Sequence, residues 1–227
     1  MFYFVILGIF SLIGAGVSSK LKSKFNHYSK IGIRSGMTGL EVAHAMLDHY
    51  GITGVKVVQG QGYLSDHYNP RTKTVSLSPA VYQGRSIAAA AVAAHECGHV
   101  VQHDTAYNML TLRSNLVPVV QFSSKIQQFL FIGLIVGMGS GLGGSTLLLV
   151  LVATFGITAL FSLITLPVEF DASRRALAWL DASGIAVGAE YDGAKDALWW
   201  AAMTYVSQAL ASLVIFLYFL LSFMGRE

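Results

Sequence analysis

His95, Glu96 and His99 form an H-E-x-x-H pattern, set between an alanine-rich run and Val100, Val101, Gln102 and His103. In a helix, two histidines four apart stand one above the other on one face. Their ring nitrogens can then converge on one Zn²⁺ at about 2.0–2.1 Å. Glu96 lies about 100° round the helix, placed to take a proton from zinc-bound water and pass it to a leaving amine. Zinc lowers that water's pKa from about 15.7 to about 7 and polarises a scissile carbonyl. The chemistry implied is peptide hydrolysis.

The pattern also arises by chance, so its surroundings decide its weight. Ser86 precedes Ile87 and a run of alanines, an N-cap followed by strong helix formers, which predicts a helix over residues 86–107. The alanines, Gly98 and Val100 are small enough to let that helix pack deeply. Cys97 lies about 200° from His95 and is expected to pack behind the site. His103 is about 12 Å along the axis from His95, so it cannot share one ion with both histidines. It is read as an outer contact, a substrate contact or a polar group near a membrane surface.

A catalytic zinc needs a third protein ligand and an open position. Glu169 follows a long uncharged block that reads as a two-span hairpin, which would return it to the same membrane side as His95. A glutamate just after Pro167 is also what a helix N-terminus favours. Glu190, Asp192 and Asp196 compete, but their segment reads as a loop and helix start. Weak candidates for holding an oxyanion are His67, His103, Tyr107 and Arg174.

Composition sets where this chemistry happens. The 227 residues are 54% apolar and only 12% charged, against about 25% charged in soluble domains, and the mean hydropathy is +0.57. Charge is missing in blocks, from residues 1–19, 126–168 and 197–225. At about 20 residues per crossing, these make one, two and one spans, with glycine-rich residues 138–145 turning between the central pair. The first block has no basic residue before it and is read as a retained anchor, since a secretory signal would begin with one. Lys20, Lys22, Lys24, Lys30 and Arg34 follow it, which places that side in the cytoplasm. Arg113, Lys125, Arg174 and Arg175 fall on the same side, and only Arg226 lies on the other. The net charge of +3 thus describes topology and contact with anionic lipid, with no sign of nucleic-acid binding. The lone Cys97 excludes an intramolecular disulfide and fits a reducing compartment.

Other elements position the site. Thr38 and Glu41 make a capping box for a helix reaching Gly51, with Leu40, Ala43, Met46 and Leu47 on its apolar face. His44 and His49 on it are read as structural or solvated. Residues 55–58, 63–68 and 72–77 favour strands, giving a small meander with a hairpin at Asn69 and Pro70. Its free edge either holds a substrate backbone as an added strand or covers the catalytic helix. His67 on it is a surface histidine or a contact to substrate or metal. Trp199 and Trp200 open the last span as an interfacial pair.

The initial anchor, Ser65-Asp66-His67-Tyr68-Asn69-Pro70-Arg71-Thr72-Lys73, the alanine-rich run into His95-Glu96-Cys97-Gly98-His99, and Pro167-Val168-Glu169-Phe170-Asp171-Ala172-Ser173 together resemble the YugP-type membrane zinc metallopeptidases. The resemblance covers essentially the whole chain. A looser similarity runs to gluzincins such as the HtpX and CAAX-prenyl membrane proteases, which take a glutamate ligand from a second helix. It implies His95 and His99 as zinc ligands, Glu96 as catalytic base and Glu169 as third ligand. In those relatives an aspartate often follows the ligand glutamate by four positions. Ser173 stands there in this chain, and Asp171 is the nearest carboxylate that could orient a ligand histidine.

The expected protein is mainly α, multi-pass, with about four transmembrane helices, a gluzincin-like catalytic helix and a small β-hairpin or meander. Its parts are an anchor (1–19), a cytoplasmic-face catalytic region (20–125), a transmembrane hairpin (126–167), a helix with the third ligand and a loop (168–196), and a last span (197–225). The expected function is a zinc endopeptidase at the cytoplasmic face of the cell membrane, with one Zn²⁺ per chain. Its partners are a peptide or membrane-protein substrate and the bilayer, with a homo-oligomer or a regulatory membrane partner left open. Two rivals stand beside it. One is an inactive scaffold or adaptor, whose structural metal would have four protein ligands. The other is a metal transporter, which needs ionisable residues inside its spans, where these blocks have none.

Overall fold

A computed structural model describes residues 2–135 and 144–225. The chain is mainly helical with one three-stranded sheet. Packing divides it into two units. One comprises Val17–Leu110 and Pro167–Met203; the other comprises residues up to Gly16, Thr111–Leu166 and the chain from Thr204 onward.

The first unit is built around helix α4 (Ile87–Asp104). Ser86 caps it as expected, its hydroxyl accepting from Ala89 N at 3.2 Å. From Ile87 to Gln102 all residues but Val92 and His95 are buried. An alanine-rich helix is thin, and here neighbours close on it from several sides. Helix α2 (Gly39–His49) brings Val42, Ala43, Met46 and Leu47 into the same core, and Cys97 Sγ lies 3.6 Å from Ala43 O behind the site. The α4 helix ends earlier than expected, at Asp104, where Ala106 adopts a left-handed φ of 51°. His44 is exposed, and His49 packs its ring edge-on against Trp179.

The capping box of α2 is formed from both sides. Thr38 Oγ1 accepts from Glu41 N at 3.2 Å, and Glu41 Oε2 accepts from Thr38 N at 2.7 Å. These bonds from Thr38, then the nearby Arg85, hold the Glu41 carboxyl below its ordinary value. A depressed acid stabilises the fold above its unfolded pKa and loses that contribution as pH falls through the folded value. Thr38→Ala, which keeps the backbone N–H but loses the hydroxyl that accepts from Glu41 N, is expected to cost about 1 kcal/mol, the usual worth of an N-cap. Thermal unfolding should show Glu41→Gln losing less stability than the wild type as pH falls below about 4.3.

The strands are β1 (Lys56–Gln59), β2 (His67–Asn69) and β3 (Thr74–Leu77). The expected hairpin is present, with β2 antiparallel to β3. The expected meander is not, because the order is β1-β3-β2 and β1 runs parallel to β3. Gly60 extends the β1 pairing, its N–H donating to Leu77 O at 2.7 Å. A Cβ there would lie 2.4 Å from Ser76 Oγ. The chain therefore leaves the β1 edge only after Gly60 and enters β2 on the far side of β3. Asp66 fixes that arrival by accepting from Ser78 N at 2.7 Å and from its hydroxyl at 3.1 Å. A four-residue helix, α3 (Pro79–Tyr82), links the sheet to α4.

Helix α1 (Phe2–Tyr28) runs past the expected anchor (1–19) and carries Lys20, Lys22 and Lys24. Its Lys24 Nζ lies 2.6 Å from Asp196 Oδ2, which also accepts from Tyr28 Oη at 2.8 Å. Asp196 belongs to α7 (Ala189–Met224), and Lys20 lies 5.8 Å over the Trp200 ring. The second unit has its own small core, with Leu151, Phe155, Ile215 and Phe219 buried together and Phe155 stacked on Phe219 at 5.1 Å.

Three described helices, not four, are long and apolar enough to cross a membrane: Tyr3–Tyr28, Ser145–Ala182 and Ala189–Met224. The expected second span falls on α5 (Asn108–Ile135), which carries Arg113, Lys125, Gln127 and Gln128. Its described uncharged end is half the length of a crossing. Residues 138–143 of the expected turn, and Arg226, lie outside the described residues, while Gly144 and Ser145 are helical. Helix α6 (Gly144–Ala182) runs through Pro167 without a break.

Candidate metal centre

Because α6 is continuous, Glu169 lies in a helix interior and is not an acid at a helix N-terminus. It faces α4. Glu169 Oε2 is 3.4 Å from His95 Nε2 and 3.5 Å from His99 Nε2. Ligand atoms at about 2.05 Å from a tetrahedral ion stand about 3.4 Å apart. The three side chains thus offer two imidazole nitrogens and a carboxylate oxygen, all within 4.8 Å of one another. This donor set and spacing fit Zn²⁺ and leave a fourth position for water. It is the group of this kind among the described residues.

Glycine makes this approach close. A Cβ built on Gly98 would lie 2.5 Å from Ala172 O and 3.2 Å from Ala172 Cα, all backbone of α6. Glycine at 98 therefore lets the helix carrying His95 and His99 lie directly on the backbone turn that carries Glu169.

Both histidines are held at the nitrogen facing away from Glu169. His95 Nδ1 is 3.1 Å from Ser173 Oγ. His99 Nδ1 is 3.0 Å from Gln102 Oε1. Gln102 is fully buried, and its Nε2 donates to Val168 O at 2.8 Å and to Asp171 Oδ2 at 2.9 Å. Asp171 thus reaches His99 through Gln102, and it also accepts from Arg175 Nε at 2.6 Å and from Arg174. Sequence reasoning singled out Asp171, Ser173 and Arg174 but missed Gln102. The available signal was a polar residue one helical turn past His99 on a segment otherwise packed with small apolar side chains.

Electrostatics follow from burial. Glu96 is 7% exposed, and burial pushes its carboxyl up. His95 and His99 pull it down, and Glu169 and Asp66 add to the rise, leaving it above its ordinary value. A carboxyl raised in this way holds a proton more readily than a solvated one. Burial opposes charge on His99, but the bond to Glu169 and the Glu169 and Glu96 carboxylates outweigh it and raise its pKa. The buried Cys97 thiol is pushed well up by burial and then by Glu96, so it stays a thiol.

Other named residues lie elsewhere. His67 is exposed and donates from Nδ1 to Ser65 O at 2.9 Å. His103 is exposed, with Nδ1 2.8 Å from Tyr68 Oη, so it ties α4 to β2. Tyr107 lies under the Arg175 guanidinium at 5.9 Å. Of the competing acids, Glu190 accepts from Arg34 N at 2.6 Å and Asp196 holds Lys24 and Tyr28. Ser173 also lines an apolar cavity of about 290 Å³ with Phe170, Leu177, Leu198 and Trp199.

The model of the family described as "Putative neutral zinc metallopeptidase" matches residues 3–224. The chain belongs to this family. It is 43% identical over 209 residues to the "Putative membrane protease YugP" of Bacillus subtilis (strain 168), covering 92% of this chain and 91% of that protein. No solved structure matches it. The metal-fitting triad described above therefore lies inside a zinc metallopeptidase family match that spans nearly the whole chain.

Proposed function

We propose that the protein is a membrane-embedded zinc endopeptidase, with His95, His99 and Glu169 as metal ligands and Glu96 as catalytic base. The observation that carries this is Glu169 meeting both histidine Nε2 atoms at 3.4 and 3.5 Å from a different helix. When bound, zinc supplies a Lewis acid for the peptide carbonyl and acidifies the attacking water. Glu96 accepts that water's proton and returns it to the departing amine. Ser173 and Gln102 hold the two imidazoles so that Nε2 of each faces Glu169. The β2 strand, which packs beside α4 and pairs with β3 through one edge, is suited to aligning a peptide backbone on the other. The apolar cavity beside Ser173 suits a large apolar side chain near the scissile bond.

The proposed location is the cytoplasmic face of the cell membrane. Lys20, Lys22, Lys24, Lys30, Arg34, Arg85, Arg174 and Arg175 all belong to the unit carrying the triad, which fits the positive-inside rule. The proposed parts are an anchor (1–19), a catalytic region (20–125), a segment (126–167) that includes the apolar part of α6, a ligand helix and loop (168–196) and a last span (197–225). One zinc serves each chain, and the substrate is a peptide or membrane protein. The purified full chain in lipid nanodiscs is expected to cleave fluorescently labelled unfolded casein, to stop on chelation and to recover with Zn²⁺. Cleavage indifferent to chelation would overturn the proposal.

A further inference from the structure

We propose that, given the endopeptidase reading on which this rests, Lys195 and Arg174 select the substrate: while a large apolar side chain seats in the cavity beside Ser173, a carboxylate two positions along the same peptide meets these two cations.

The cavity of about 290 Å³ is a groove between α6 and α7, with Phe170, Ser173 and Arg174 on one wall and Lys195 and Trp199 on the other. Its two ends differ. At one, the exposed rings of Phe170 and Trp199 stand 6.4 Å apart. Toward the turn that joins the helices, Arg174 follows Phe170 by four residues and Lys195 precedes Trp199 by four. Residues four apart share a helix face and lie about 6 Å apart along the axis. Each cation is therefore about one turn from its aromatic neighbour.

Charge at that end is one-sided. Among the described residues the cavity is lined by two cations and no carboxylate. The acids nearest to Lys195 in sequence turn toward α1 instead: Asp196 pairs with Lys24 and accepts from Tyr28, and Asp192 adds to the field on Tyr28. Arg174 does bond Asp171. Its side chain is nonetheless 77% exposed, and a guanidinium has five N–H donors to share. Such a groove fits a ligand that is apolar at one end and anionic at the other.

Peptide geometry supplies the matching spacing. In an extended chain, side chains two positions apart point the same way and are separated by about 6.6 Å, whereas the residue between them points to the opposite face. The groove also adjoins the metal centre, because Ser173 lines it and stands 3.1 Å from His95 Nδ1. A substrate peptide is thus favoured over a free lipid as its occupant.

The test uses the full chain in phosphatidylcholine nanodiscs and labelled peptides with one phenylalanine in an alanine and serine background. Glutamate stands two positions before it, two after it or next to it, and each peptide has a lysine twin. Of the two spaced glutamate peptides, the one running in the direction of the groove should be cleaved about fivefold faster than its twin at low salt, the upper worth of an exposed ion pair. Molar salt should erase the excess. Glutamate next to the phenylalanine should give none. Lys195→Glu should remove the excess, a ratio that does not depend on how much of the variant folds. A wild type indifferent to the charge or to its position overturns the proposal, and so does a variant that keeps the full excess. Equal cleavage of all peptides, with phosphatidylglycerol retained through purification by the wild type but not by the variant, overturns it in favour of a lipid headgroup. Failure of the endopeptidase reading is distinct: fluorescence anisotropy would show the stated order in peptide binding while nothing was cleaved.

Discussion

Glu96→Gln is expected to bind zinc as the wild type does and to lose peptide hydrolysis by about 10²- to 10⁴-fold, the usual worth of a positioned acid–base group. The expectation separates two roles that one helix turn brings together. His95 and His99 point toward Glu169, whereas Glu96 is displaced round the helix and shares their field without belonging to the triad. Glutamine keeps the shape and gives up proton transfer. It also removes a carboxyl that burial disfavours in its charged form, so the melting temperature should hold or rise. The paired measurement is zinc content and single-turnover cleavage on the same preparation. Full cleavage in the variant would remove Glu96 from the mechanism, and lost zinc would make it a ligand.

Gly98→Val should be nearly as damaging, although it touches no proposed ligand. Even the Cβ would stand 2.5 Å from Ala172 O, with the Ala172 carbonyl carbon and Cα at 3.1 and 3.2 Å. Backbone cannot step aside as a flexible side chain does, so α4 and α6 must part. That motion separates the two histidines from Glu169. Overpacking of this kind costs about 1–3 kcal/mol, and 1.4 kcal/mol is about tenfold in affinity. Zinc binding is therefore expected to weaken by about tenfold or more. Gly14→Ala, where a new Cβ meets nothing within 4 Å, should leave it unchanged. Equal zinc affinity in Gly98→Val and the wild type would show that close helix contact is not what assembles the centre.

Local features of this fold were readable from the chain because they depend on neighbours in sequence. The Thr38–Glu41 box and the Ser86 cap are such cases, as is the small-residue surface of α4. Glu169 was reached by an argument about sides, through a hairpin whose first limb, α5, is not among the apolar helices described. The triad geometry thus rests on α6 and α4 themselves. What escaped the sequence depends on partners far away in it. Gln102 acquires meaning only from Val168 and Asp171, 66 and 69 positions on. The β1-β3-β2 order likewise turns on Gly60 extending a parallel pairing, which alternation within a strand cannot show. Pro167 read as a helix start because it suits that position. Helix α6 runs straight through it, with Val168 and Ala172 buried in the turn beyond.

Zinc content and affinity, measured on the purified wild type beside Glu169→Ala, test the metal centre most directly. The account predicts about one zinc per wild-type chain, with the open coordination of a catalytic site. In the variant, affinity should fall beyond the roughly 100-fold that an outer partner is worth. Equal occupancy and equal affinity in the two proteins would contradict it.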